Sequence, residues 1–302
     1  MLNVLIRAGC FVAIIFGGWF LRRRNFLPEE SFTVLSKIVI NITLPAAIVS
    51  STAGKAIEPA MLIISLLGLL GGLTYCLVGF LVNLRRGPED RAFAIVNTSG
   101  YNIGNFAMPF TQSFLGPMGV VATSLFDVGN AFVCLGGAFG IAQTVREGKG
   151  FSMKQVLKAL SRSVPFLTYV IMAALNLLEL TPPEPVVTLS GIIGSANPFL
   201  GMLMVGVGFR LSGGRKQLGT VVRVLGVRYA IAAALAAAFY FLLPFDLEVR
   251  QALVLLVFSP IASAVPAFTA RLRCDAGLSS AINSMSIVCS ITFMVALLLI
   301  ML

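Results

Sequence analysis

The stretch NTSGYNIGNFAMPFTQ, Asn97 to Gln112, places three asparagines, two glycines and a proline inside a run that is otherwise apolar. Its meaning depends on the solvent around it. Of the 302 residues, 58% are hydrophobic and 11% charged, whereas soluble domains carry about 25% charged residues. That is the composition of a polytopic membrane protein. The stretch is therefore read as an interrupted membrane helix and not as a surface loop.

Working outward, apolar runs between charged or Pro/Gly breaks define ten segments: 2–21, 32–53, 60–84, 91–115, 118–144, 164–180, 186–210, 219–243, 249–270 and 277–301. A run of about 20 residues, at ~1.5 Å each, spans a hydrocarbon core of about 30 Å. Arg7 raises the alternative of a cleaved leader for the first run. Arg22-Arg23-Arg24 follows it and no small-residue cleavage pattern precedes that cluster, so the segment is kept as a membrane helix.

Basic residues collect in and beside the loops after the odd-numbered segments. These are Arg22, Arg23 and Arg24; Arg85, Arg86 and Arg91; Arg146, Lys149, Lys154, Lys158 and Arg162; Arg210, Arg215, Lys216 and Arg223; and Arg271 with Arg273, together 17 of the 22 Lys and Arg. The positive-inside rule makes these loops cytoplasmic and both termini extracytoplasmic. Topology thus accounts for the net charge of +10, and no nucleic-acid partner is implied.

The chain has no His, which removes Ser-His triads, His-ligated metals and imidazole relays. Cys10, Cys76, Cys134, Cys274 and Cys289 show neither CxxC nor zinc-site spacing, so no metal or cofactor is expected. An enzyme would need a nucleophile and base constellation that the sequence does not offer. A sensor would need a soluble output domain, and every loop is short.

The polar interruptions pair between the halves. NITLP at Asn41 to Pro45 matches ANP at Ala196 to Pro198. PEDRA (Pro88 to Ala92) and LEVRQA (Leu247 to Ala252) precede the fourth and ninth segments, which hold Pro109 and Pro266 in their interiors. Five segments on each side of a central basic loop enter the membrane from opposite sides, so paired breaks point to an inverted repeat, the construction of secondary transporters.

Pro109 cannot donate to the carbonyl of Asn105, nor Pro266 to that of Ala262. A bare carbonyl survives at membrane depth only where it is buried in protein or lines a wet cavity. Gly100 and Gly104 admit a close backbone, while Asn97, Asn102 and Asn105 add amide donors and acceptors. SPIASAVPAF, Ser259 to Phe268, repeats the construction with Ser259 and Ser263. The half-helix ends favour an anion at an N-terminus and a cation at a C-terminus. The candidate substrate-binding set is Asn41, Asn102, Asn105, Phe106, Pro109, Ser263, Val265 and Pro266.

Asp127 lies mid-way along the fifth segment, three residues from Asn130. It reads either as a proton carrier or as a structural carboxylate, with Asn130 in support. Aligning Gly119 with Gly277 sets Met285 opposite Asp127 and leaves Asn283, Ser284 and Ser286 as the polar groups of the tenth segment. Lys37 and Arg228 are read as snorkelling to an interface.

NITLPAAIVSS, GYNIGNFAMP, FDVGNA and FSPIASAVPAF resemble the auxin efflux carrier family, which includes plant PIN-FORMED carriers and many bacterial permeases. The resemblance covers essentially the whole chain. It implies an all-α membrane fold of ten transmembrane helices in two inverted five-helix repeats, 1–145 and 164–302, joined by a cytoplasmic loop, 146–163. The fourth and ninth helices would cross at their breaks, helices 1, 2, 6 and 7 would form a scaffold, and 3–5 with 8–10 a moving transport domain. Bile acid:sodium symporters share this plan. A bacterial inner membrane and a homodimer through the scaffold helices are the setting it implies. The expected function is alternating-access transport of a small organic anion, such as a mono- or dicarboxylate or an auxin-like acid, linked to protons through Asp127. Sodium coupling and a passive channel are the alternatives. Plant carriers have a long hydrophilic central loop, absent here, so neither loop phosphorylation nor auxin itself follows from the resemblance.

Overall fold

The computed structural model describes residues 2–28, 30–55, 58–148, 150–210 and 217–301. Lys149, Arg215 and Lys216, counted above among the basic loop residues, lie outside them. Among the described residues every regular element is helical. In chain order they are α1 (Leu2–Arg23), α2 (Ser31–Thr52), α3 (Pro59–Val82), α4 (Pro88–Thr98), α5 (Met108–Phe114, entered through a π turn, Ile103–Ala107), α6 (Pro117–Glu147), α7 (Met153–Leu160), α8 (Val164–Leu177), α9 (Glu184–Gly208), α10 (Leu218–Leu242), α11 (Leu247–Val257), α12 (Val265–Arg271) and α13 (Ala276–Met301).

By length and apolarity, seven of these can cross a membrane: α1, α2, α3, α6, α9, α10 and α13. The pair α7 and α8, bent by 76° at a short break, passes the same test together. The expected fourth and ninth spans are each split into two short helices, α4 with α5 and α11 with α12, so neither forms a continuous span.

The first split does not fall where the proline suggested. The chain leaves helical geometry at Ser99 to Asn102, where Gly100 has φ 73°, a left-handed conformation that a side chain would strain. Pro109 lies in the first turn of α5, where its missing N–H is no loss. Its clash with the carbonyl of Asn105 is relieved because the preceding turn is wider, with Met108 N–H bonded to Ile103 O, five residues back. The same device precedes Pro45, where Leu44 N–H reaches Val39 O.

The segment 146–163, expected as a connecting loop, is partly helical. α6 runs on to Glu147 and ends on the left-handed Gly148. The sequence MKQVLKAL then folds as α7, because Val156 and Leu160, four apart, share a face that buries against Ala131.

Small residues set the tightest contacts. A Cβ on Gly129 would stand 2.6 Å from Leu69 N, so α6 and α3 meet backbone to backbone. On Gly18 it would stand 3.1 Å from Val207 N, and on Gly194 2.7 Å from Ala47 Cα, which joins α1 and α2 to α9 in the same way. In lipid, where apolar burial between helices drives little, such close approach supplies the packing energy.

Contacts at the helix ends fix which loops lie together. Arg22 Nη1 donates to Val207 O at 3.0 Å and Arg210 N–H to Ser284 Oγ at 2.9 Å. Arg146 pairs with Glu89 at 3.2 Å and donates to Arg273 O at 3.3 Å. The odd-numbered loops therefore share one end. At the other end Gly119 N–H donates to Glu248 Oε1 at 2.6 Å and Gln251 Nε2 to Met301 O at 2.9 Å.

Candidate functional site

α4 and α11 enter the protein from opposite ends and both stop in its middle. There Asn102 N–H donates to Pro260 O at 2.9 Å, joining the two breaks backbone to backbone. Each break is held by an asparagine on a neighbouring helix. On α6, Asn130 Oδ1 accepts Tyr101 N–H at 3.0 Å, and Asn130 Nδ2 donates to Tyr101 O at 2.9 Å and to Asp127 Oδ1 at 2.7 Å. On α13, Asn283 Nδ2 donates to Ile261 O at 3.0 Å and Ala262 O at 3.2 Å, while Ser286 Oγ accepts Ile261 N–H at 3.1 Å. By the task it performs, Asn283 answers to Asn130. Three residues earlier on each helix, Ser280 then answers to Asp127, in place of the Met285 that glycine alignment suggested.

A cavity of about 170 Å³ at the crossing is lined by Asn102, Asn105, Asp127, Asn130, Tyr169 and Ser263. A larger one, about 470 Å³, shares Asn102 and Ser263 with it and reaches the odd-loop end past Pro266, Ser280, Asn283, Ser284, Glu30 and Arg210. A third, about 500 Å³, lies at the opposite end, lined by Ser50, Ser51, Lys55, Gln112 and Ser195. From Gln112 on the wall of this third cavity a polar chain links three helices: Thr43 Oγ1 donates to Asn197 Oδ1 at 3.1 Å, and Asn197 Nδ2 to Gln112 Oε1 at 3.2 Å.

The structure thus brings together Asn102, Asn105, Ser263, Asp127 and Asn130, with Pro266 on the wall of the larger cavity. Asn105 Nδ2 donates to Ser263 Oγ at 3.4 Å, and its Oδ1 is buried without a hydrogen-bond partner. Four expected residues are placed elsewhere. Phe106 is fully buried and stacks on Phe110 with centroids 5.2 Å apart, because the wide turn rotates it into the core. Pro109 packs toward Gly201 of α9, Val265 is buried in the core, and neither lines the crossing cavities. Asn41 is exposed and donates to Lys37 O of its own helix at 2.9 Å, which satisfies it away from the site. Asn97 bonds Thr269 and Ser279, tying α4 to α12 and α13.

Lys37 is exposed, as snorkelling requires, but Arg228 is not. Its side chain has no exposure at all, and its guanidinium donates to Thr98 O at 2.5 Å, Gly100 O at 2.9 Å and Ser259 O at 2.8 Å. The signal was in the numbering. Arg228 stands ten residues into α10, about 15 Å deep, half of a ~30 Å core and beyond the reach of an arginine stem. Tyr169, a further lining residue beside Asp127, carried no such signal.

The family model for membrane transport proteins matches residues 8–161, just over half of the chain, and takes in α4, the broken stretch and Asp127. No curated protein matches it. With the apolar helices and the polar crossing they enclose, this match shows that the chain is an integral membrane protein belonging to the auxin efflux carrier family of membrane transport proteins.

Proposed function

We propose that this carrier moves a small organic anion by alternating access, with the crossing as its binding site. The observation that carries the reading is a cavity at the crossing, lined by Asn102, Asn105 and Ser263, that shares Asn102 and Ser263 with a cavity reaching one end, while a third cavity at the other end shares no lining residue with either. A carrier caught open to one side has this form, and a continuous pore does not. Amide and hydroxyl donors at Asn102, Asn105 and Ser263, with Arg210 near the mouth, suit a carboxylate.

In this reading each broken pair and α8 count as one crossing, which makes ten, and the residues before and after 146–163 form two inverted five-helix halves. The glycine contacts favour a scaffold containing α1, α2 and α9 and a moving body containing α3, α4 and α6. With the basic loops inside, the cavity of about 470 Å³ faces the cytoplasm. Asp127, held by Asn130 beside the cavity, is the group that links transport to protons.

Counterflow in liposomes tests this directly. Vesicles loaded with a mono- or dicarboxylate should accumulate the labelled compound in a saturable way, and Asp127→Asn should flatten the pH dependence of the rate. Flux that neither saturates nor shows counterflow would make the protein a channel.

A further inference from the structure

We infer that Arg228 is a resident cation of the crossing: its guanidinium fills the place where two helix C-termini meet, which an alkali cation would otherwise have to occupy. α4 ends at Thr98 and α11 at Val257, each an eleven-residue helix. Helix C-termini carry about half a negative charge apiece, so two ends converging on one point present roughly one full charge. One guanidinium neutralises it. Its fork reaches the carbonyls of Thr98 and Gly100 on one side and of Ser259 on the other, so a single rigid group spans both breaks.

The surroundings fit a cation and offer it no ordinary counter-ion. Among the described residues no carboxylate lies within ion-pair distance of Arg228. The rings of Tyr75 and Tyr101 flank it instead, with centroids 5.0 and 5.7 Å from Cζ, and Tyr75 Oη donates to Val257 O at 3.2 Å. A buried charge without a carboxylate is tolerated only where fixed dipoles replace its hydration. Arg228 is therefore a positioning residue: it holds the two breaks whose backbone presents Asn102 and Ser263, and it removes the need for sodium at this point.

The test is thermal unfolding of the full chain in detergent at constant ionic strength. Replacing choline chloride by sodium chloride should leave the parent protein unmoved. Arg228→Ala should melt lower, and methylguanidinium on the order of 10 mM should recover most of the loss by mass action while choline does not. If that variant fails to fold, Arg228→Lys and Arg228→Gln decide: Lys should retain clearly more stability than Gln. A sodium-specific rise in the parent, no rescue of a folded Arg228→Ala, or equal stability of the Lys and Gln variants would each overturn the inference. The readout does not depend on which anion is carried, so it stands apart from a failed transport assay.

Discussion

Asn130→Ala is the substitution that bears hardest on the crossing. It removes the acceptor for Tyr101 N–H, one of two donors to Tyr101 O and the amide bonded to Asp127. Tyr101 is 1% exposed, so water cannot replace the lost partners. Each buried main-chain group left unsatisfied costs about 1–3 kcal/mol. The carbonyl retains a weak partner in Cys134 Sγ at 3.5 Å, which places the total nearer ~2–4 kcal/mol than the sum of two full penalties. At ~2–4 °C per kcal/mol for a chain above 150 residues, the melting temperature should fall by about 5–15 °C. Asn283→Ala should cost less, because it strips two carbonyls of a donor but orphans no N–H. Asn130→Asp keeps the acceptor yet sets a second carboxylate beside Asp127, so it should be at least as damaging as Ala. Thermal unfolding and counterflow on the three variants check the series. An Asn130→Ala protein that melts with the parent and transports normally would show that α6 does not hold the break.

Asn105→Ala should weaken carboxylate binding in a thermal-shift titration more than Asn25→Ala, which lies in the first basic loop; equal affinities would remove Asn105 from the site. Pro109→Ala and Pro266→Ala should keep their melting temperatures within about 2 °C, since both prolines sit in the first turn of a helix; Pro109→Ala should also slow counterflow by letting the wide turn before it tighten. Gly129→Val should lower stability by about 1–3 kcal/mol or more, because its Cβ would meet the backbone of α3; an unchanged melt would mean that α3 and α6 are not closely packed. Reporters fused at either terminus should be active only outside the cytoplasm, and one inserted in the segment 146–163 only inside it.

Helices were legible because lipid demands long apolar runs, and each of the ten predicted segments contains helix in the structure. Which face each helix turns inward was not, because packing decides it. Asn41 and Asn102 look alike in sequence, yet one bonds its own helix on the outside and the other lines the cavity. The break in the fourth segment was legible as to kind but not place. Pro109 is visible in the string, whereas the groups that hold Ser99 to Asn102 open lie far away in sequence, on Asn130 and Arg228. Arg228 could have been recognised from its depth alone. Phe106 could not, since its orientation depends on a π turn that nothing local announces.

The crossing is built from main chain: one N–H to carbonyl bond between the breaks, and carbonyls gathered by Arg228, Asn130 and Asn283. The side chains at 102, 105, 263 and 280 face the cavities without closing that frame, apart from one long bond between Asn105 and Ser263. On the function proposed above, substrate range can then drift by a few substitutions while the architecture is inherited unchanged. A laboratory selection for growth on a new carboxylate should collect its mutations at those four positions, and leave 130, 228, 283 and 286 alone.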